Sequence, residues 1–200
     1  ADGAPGGEGV LLEAIRRTKP TALIGVSAQP ATFTQKVCEL MAATSARPVI
    51  MALSNPTSKA ECTAEQAYRW TQGRCVFTSG SPMPGYTLED GTRLEPGQGN
   101  NAYIFPGVGL GAIGAGARTI DDGAFLVTAR TLASMVDDES IARGTVYPPL
   151  SSIRNISLEI AHKVAQHFYQ VGAATAPRPA DLRAHLEAIM YSPWAGAAEP

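Results

Sequence analysis

The chain reads as an α/β protein, a short parallel sheet followed by helices, and three observations predict this. Its first part runs strand, helix, strand, helix, strand, the rhythm of right-handed parallel α/β units. The extended segments TALIGVS, RPVIMALSNP and RCVFTSG hold short apolar runs, as strands buried on both faces require. From residue 108 onward, apolar residues recur at helical spacing instead.

Each element has its own signal. LLEAIRRTK sets Leu11, Leu12 and Ile15 on one helical face and ends in basic residues, which a helix C-terminus favours. Pro20 stops it, and TALIGVS is the first strand. TFTQKVCELMAATSA returns to helical spacing through Val37, Leu40 and Met41, ahead of the second strand, RPVIMALSNP. In CTAEQAYRWTQG, Thr63 is placed as N-cap, Gln66 completes a capping box and Gly73 ends the helix. RCVFTSG is the third strand. Asp90-Gly91 predicts a two-residue hairpin turn, and the rest of that glycine- and proline-rich stretch reads as loop. DDGAFLVTARTLASMV and SSIRNISLEIAHKVAQHFYQVG are helices, joined by TVYPPL, which its prolines hold extended. RPADLRAHLEAIMYSPW is a short helix and a tail.

Composition narrows the class. With 200 residues the chain can bury a substantial core, and 17% charged residues is a globular proportion. A net charge of −2 argues against nucleic-acid or anionic-membrane partners, which demand a basic face. No apolar run approaches the ~20 residues that cross a bilayer. The start, ADGAPGGEG, is small and flexible rather than a signal sequence, and a first residue other than methionine fits a processed, truncated or excised chain. Cys38, Cys62 and Cys75 show no C-x-x-C spacing. Two lie in helix-like sequence and one in a strand-like run, so free buried thiols in a reducing, intracellular compartment are expected rather than zinc ligands.

Few residues carry chemistry of their own. His162 and His167 lie on one helix and diverge by about 140°, so they do not share a metal, and His185 stands apart. Asp121-Asp122 and Asp137-Asp138-Glu139 precede helical patterns and read as caps. In parallel sheets ligands collect beyond the carboxyl ends of strands, which singles out GVSAQP, SNPTS and SGSPMPG. Asn55 stands at one such end and Asn100-Asn101 follow a glycine-rich loop. An amide donates and accepts at once, which suits hydroxyl and carboxylate groups; the same residues equally suit a turn start and a loop closure. Gly109, Gly111 and Gly114 match G-x-G-x-x-G, yet they follow AYIFPG rather than a buried strand, and no acidic residue stands at a strand end ~20 positions on. Small residues there fit a closely packed helix instead.

RPVIMALSNPTSKAECTAEQAY, GQGNNAYIFPGVGLG, YPPLSSIRNIS and MYSP, in that order, resemble the malic enzymes, with the eukaryotic-type branch nearest. The match runs from about Leu11 to Pro193. The resemblance implies the C-terminal half of a Rossmann-like parallel sheet domain (1–100), then an α-helical segment belonging to a neighbouring domain (101–172) and a tail (173–200). It implies oxidative decarboxylation of L-malate to pyruvate and CO₂ with NAD or NADP and Mg²⁺ or Mn²⁺. Asn55 would lie against the nicotinamide riboside and malate, Asn100 and Asn101 against malate, and Val26, Ser27 and Ala28 beside the cofactor, with Ser54 a further contact. The general-acid tyrosine, general-base lysine and metal-binding carboxylates belong upstream of the matched part, as do the glycine fingerprint and the residues that separate NAD from NADP use.

At SAQPAT the chain departs from its relatives, which commonly carry another glycine or two. Malate oxidation needs a base, and decarboxylation needs a cation and an acid, so these residues alone are expected to be inactive. The remainder of the malic enzyme chain is then the partner, in a homo-oligomer that is tetrameric when complete. Its setting is cytoplasm, plastid or mitochondrion. A non-catalytic module binding a nucleotide or a malic enzyme subunit is the competing reading, and a different dinucleotide-dependent dehydrogenase is a third. Half a parallel sheet would leave an exposed edge and fold poorly by itself.

Overall fold

A computed structural model describes residues 7–192. The small-residue stretch at 1–6 and the end of the tail, 193–200, lie outside the described residues. The chain forms two compact units, one reaching Asn100 and including Val136–Tyr147, the other made of Asn101–Met135 and the chain from Pro148 onward. No helix among the described residues is long and apolar enough to cross a membrane.

In the first unit, helices α1 (Gly7–Thr18), α2 (Gln35–Thr44) and α3 (Ala64–Trp70) alternate with strands β1 (Ala22–Gly25), β2 (Val49–Ala52) and β3 (Val76–Ser79). Thr63 caps α3 through the expected box: its hydroxyl accepts from the Gln66 N–H, and the Gln66 side chain accepts from the Thr63 N–H. Gly73 follows the helix at a φ of +74°, a conformation without penalty for glycine. The strands pair in parallel and in register, Leu23 with Ile50 with Phe77, and Gly25 with Ala52 with Ser79. One sheet face carries Ile50 and Phe77 against Val37, Met41 and Tyr68 of the helices, all fully buried. Each such side chain contributes about 1.5–3 kcal/mol by leaving water. Tyr68 and Phe77 meet edge to face at 5.9 Å.

The structure departs from the expected elements at several points. The hairpin of β4 (Tyr86–Thr87) and β5 (Arg93–Leu94) has three loop residues rather than two: Leu88 N–H donates to Thr92 O, and Gly91 N–H donates to Leu88 O. Gly91, at φ +87°, supplies the left-handed residue that this longer loop needs. A fourth parallel strand, β6 (Gly97–Gln98), lies beside β3 in the stretch read as loop, giving the order β1-β2-β3-β6. Space is tight at Gly97, where a Cβ would stand 3.0 Å from Thr78 Oγ1. Cys62 and Cys75 precede a helix cap and a strand rather than lying within elements, and all three cysteines are buried and free. Burial pushes the Cys75 thiol up to about 12.

The second unit is helical: α4 (Phe105–Ala115), α5 (Asp122–Ala133), α7 (Ile153–Gln170) and α8 (Leu182–Ile189). The short α6 (Asp138–Ala142), in the first unit, follows the acidic cluster read as a cap, and Asp137 caps it by accepting from the Ser140 N–H. Helix α4 begins at Phe105, three residues earlier than its apolar pattern indicates, because Pro106 fits the first turn. The glycine-rich stretch is the packed helix that its context predicts. A Cβ on Gly107 would lie 2.6 Å from Ile160 Cγ2, and one on Gly111 would lie 2.7 Å from Ala161 O. Helix α7 therefore approaches α4 backbone to backbone, while Gly109 faces open space.

That difference sets opposite outcomes for one substitution. Gly111→Ala should destabilise the fold by about 1–3 kcal/mol through overpacking. Gly109→Ala should stabilise it by up to about 1 kcal/mol, as helix propensity alone dictates. Urea unfolding of the two variants compares them directly.

Asp121 caps α5 by accepting from the Ala124 N–H at 2.9 Å, and the ring of His167 reaches the same carboxylate at 2.8 Å. The His167 hydrogen bond, and then the Ala124 N–H, hold the Asp121 carboxyl below its ordinary value. A carboxyl lowered in the folded state stabilises above the unfolded value and loses that contribution as pH falls through the folded one. The stability gap between the parent chain and Asp121→Asn should be full at neutral pH and narrow below about pH 4. Denaturation midpoints measured across that range check it.

Candidate functional site

Parallel register delivers the ends of β1, β2 and β3 to one edge of the sheet, with β6 ending alongside. From β1 the chain passes through Val26, Ser27 and Ala28, all exposed. The Ala28 N–H donates to Ser54 Oγ at 2.9 Å, which ties the loop after β1 to the loop after β2. Ser54 is buried, and its hydroxyl donates in turn to the carboxylate of Glu61, so both functions of this side chain are used internally.

Asn55 is exposed beside it, ahead of a cis bond to Pro56. Its Oδ1 accepts from Ser81 Oγ at 2.5 Å, and Ser79 Oγ donates to Ser81 O at 2.7 Å. The loops after β2 and β3 are thereby joined, and the Asn55 amide is oriented. Gly80 is the close-approach point, since a Cβ there would meet Leu53 O and stand 2.7 Å from Asn55 Nδ2. Gly99 brings the end of β6 to the same place, with its Cβ position 3.0 Å from Leu53 Cδ2. Asn100 follows, exposed, as the last residue of the first unit; Asn101, also exposed, opens the second and starts a 3₁₀ turn.

The site residues read from sequence thus divide. Val26, Ser27, Ala28, Ser54 and Asn55 lie along one edge of the sheet, tied by the Ala28–Ser54 and Asn55–Ser81 hydrogen bonds, and Gly99 sets Asn100 beside it. Glu61 is the residue that sequence reasoning missed. It is fully buried, and its only signal was a carboxylate inside an otherwise apolar stretch, AECTA. Among the described residues, no group of three or more histidine, cysteine, aspartate or glutamate side chains converges as a metal site. A groove of about 390 Å³, lined by Gln35, Glu39, Arg69, Trp70 and Arg74 among others, includes none of the predicted residues.

Backbone strain marks the first loop. Ala28 and Ala31 hold φ values of +55° and +58°, a region that costs a non-glycine residue about 1–2 kcal/mol. This is the SAQPAT stretch, where glycine was expected in relatives, and the backbone keeps the left-handed turns without it. Ala31→Gly should therefore raise stability by about 0.5–1 kcal/mol despite the freer unfolded chain, which thermal unfolding would register.

A parallel sheet whose strand-end loops present oriented amides is the framework of the Rossmann-like, dinucleotide-binding α/β domains. The chain belongs to the malic enzyme NAD-binding domain family: the family model described as "Malic enzyme, NAD binding domain" matches residues 4–169. It is 51% identical over 184 residues to the mitochondrial NADP-dependent malic enzyme of Homo sapiens, covering 92% of this chain and 30% of that protein. The NADP-dependent malic enzyme of Populus trichocarpa is 50% identical over 184 residues, with 92% and 31% covered. The chain thus spans about a third of the length of these relatives. Among solved structures, the malic enzyme from Pyrococcus horikoshii Ot3 superposes with a TM-score of 0.68 at 21% identity, covering 90% of this chain and 37% of the other. The Entamoeba histolytica malic enzyme gives 0.68 at 19%, covering 90% and 32%. Both likenesses concern the fold.

Proposed function

We propose that the chain is the portion of an NAD(P)-dependent malic enzyme that completes the cofactor domain and helps to position L-malate. The polypeptide containing it converts malate to pyruvate and CO₂. The observation that carries this reading is the strand-end edge, where Ala28 is bonded to Ser54 and Ser81 to the adjacent Asn55, in a chain of the malic enzyme family.

The residues at that edge suit a cofactor and a hydroxy acid. The exposed Asn55 side chain can use its amide toward a ribose hydroxyl or a carboxylate while Ser81 holds its oxygen. The backbone at Val26–Ala28 offers further polar groups, and Gly80 and Gly99 let the loops close up behind them. A nicotinamide dinucleotide bound at this edge would supply the hydride acceptor. Asn55, Asn100 and Asn101 orient the substrate; being amides, they take no proton from the malate hydroxyl and give none to the enolate carbon. The divalent ion named for the family is assigned to upstream residues, as the family resemblance implies. The same division makes the isolated chain inactive and gives it the rest of the enzyme, in a homo-oligomer, as partner.

Two preparations test this. The purified 200-residue chain, given L-malate, NAD⁺ or NADP⁺ and Mg²⁺ or Mn²⁺, should form no reduced cofactor. A polypeptide that joins it to the upstream malic enzyme portion should form reduced cofactor and pyruvate together. Turnover by the short chain alone would overturn the division of labour.

A further inference from the structure

Glu61 has no part in the chemistry just described, yet it is completely buried and belongs to none of the ion pairs found among the described residues. Burying a carboxylate without a counter-charge costs several kcal/mol unless hydrogen bonds offset it. Among the described residues, its donors all come from Ser54. The Ser54 hydroxyl donates to Oε1, and the Ser54 N–H approaches Oε2 at 3.4 Å.

A serine hydroxyl has one hydrogen and two lone pairs. With the hydrogen directed at Glu61, the lone pairs turn outward, and one of them accepts the Ala28 N–H. The carboxylate therefore dictates the polarity of Ser54, and Ser54 fixes the loop after β1. Backbone bonds from the same segment hold that loop further along: Ala31 N–H donates to Ala60 O at 3.2 Å, and Phe33 N–H donates to Glu61 O at 3.0 Å. The Glu61 side chain also lies across the last residue of β1, where a Cβ on Gly25 would stand 2.5 Å from its Cδ. Gly25 is the space that this side chain requires.

We infer that Glu61 is a positioning residue for cofactor binding, acting through the Ser54 hydroxyl to hold the Val26–Ala28 loop in its binding conformation. This rests on the proposed role of that loop against the dinucleotide. Glu61→Gln keeps the size of the side chain but turns one acceptor into an NH₂ group, so either the Ser54 hydroxyl or the Ser54 N–H loses its partner. Ser54→Ala removes the relay and leaves Glu61 in place.

The test uses the polypeptide that carries this chain together with the upstream malic enzyme portion, and reads two quantities. Amide hydrogen exchange in residues 26–34 should accelerate about tenfold or more in both variants, the scale set by a hydrogen bond to a charged group. Exchange in α4 and α7 should stay unchanged. Affinity for NADP⁺ or NAD⁺, measured by direct titration without malate, should weaken in parallel. The double variant should do no worse than either single one, because all three break the same relay. Unchanged loop exchange in a folded E61Q protein, or faster exchange with undiminished cofactor affinity, would overturn the inference. Normal cofactor binding without malate turnover in the unsubstituted protein would instead defeat the malic enzyme reading and leave the role of Glu61 standing.

Discussion

Everything at the candidate site follows from the parallel register of three short strands. Gly25, Ala52 and Ser79 are aligned across the sheet, so the chain leaves β1, β2 and β3 at one level and on one side. Parallel pairing also requires that each strand be followed by a crossover, which sends α2 and α3 to a common face and leaves the loops clear. Slipping one strand by a residue would turn Ile50 or Phe77 out of the core and separate Ala28 from Ser54. Burial of the apolar face and assembly of the polar edge are one constraint.

Along that edge the polar groups are spent on one another. Ser54 accepts from Ala28 and donates to Glu61, and Ser81 donates to Asn55 while receiving Ser79 at its carbonyl. Inside a protein such chains strengthen each other, and an unmatched member is costly. The outermost group, Asn55, remains exposed, so its side chain can meet a ligand while its carbonyl oxygen is already oriented. Preorganisation of this sort lowers the ordering cost of binding.

Much of this was legible in the sequence, and the exceptions share a cause. Thr63 and Gln66 announced their helix because a capping box is local, needing only four residues. The helical fate of GVGLGAIGAGA was legible from what precedes it. Strand β6 was not, since two residues, one of them glycine, carry no hydrophobic period, and their pairing depends on Thr78 and Ser79 far back in the chain. The extra residue in the hairpin loop was hidden because Asp-Gly serves loops of either length. Glu61 was hidden for the same non-local reason: beside Cys62 and the capping threonine it resembles an ordinary surface charge, and only the folding of Ser54 over it reveals its environment.

The sheet also has, among the described residues, an open side at β1. Among the described residues β1 pairs on one side alone, with β2, and Ile24 and Val26 stand 58% and 73% exposed at its end. Parallel strands are otherwise buried on both faces, and an open apolar edge invites pairing. A strand added beside β1 would extend the same register and bring its own carboxyl end to the level of Ala28 and Asn55. The position most in need of cover is therefore also the one from which further residues would reach the strand-end loops. Covering the apolar edge and setting new residues beside Ala28 and Asn55 are thus one structural requirement.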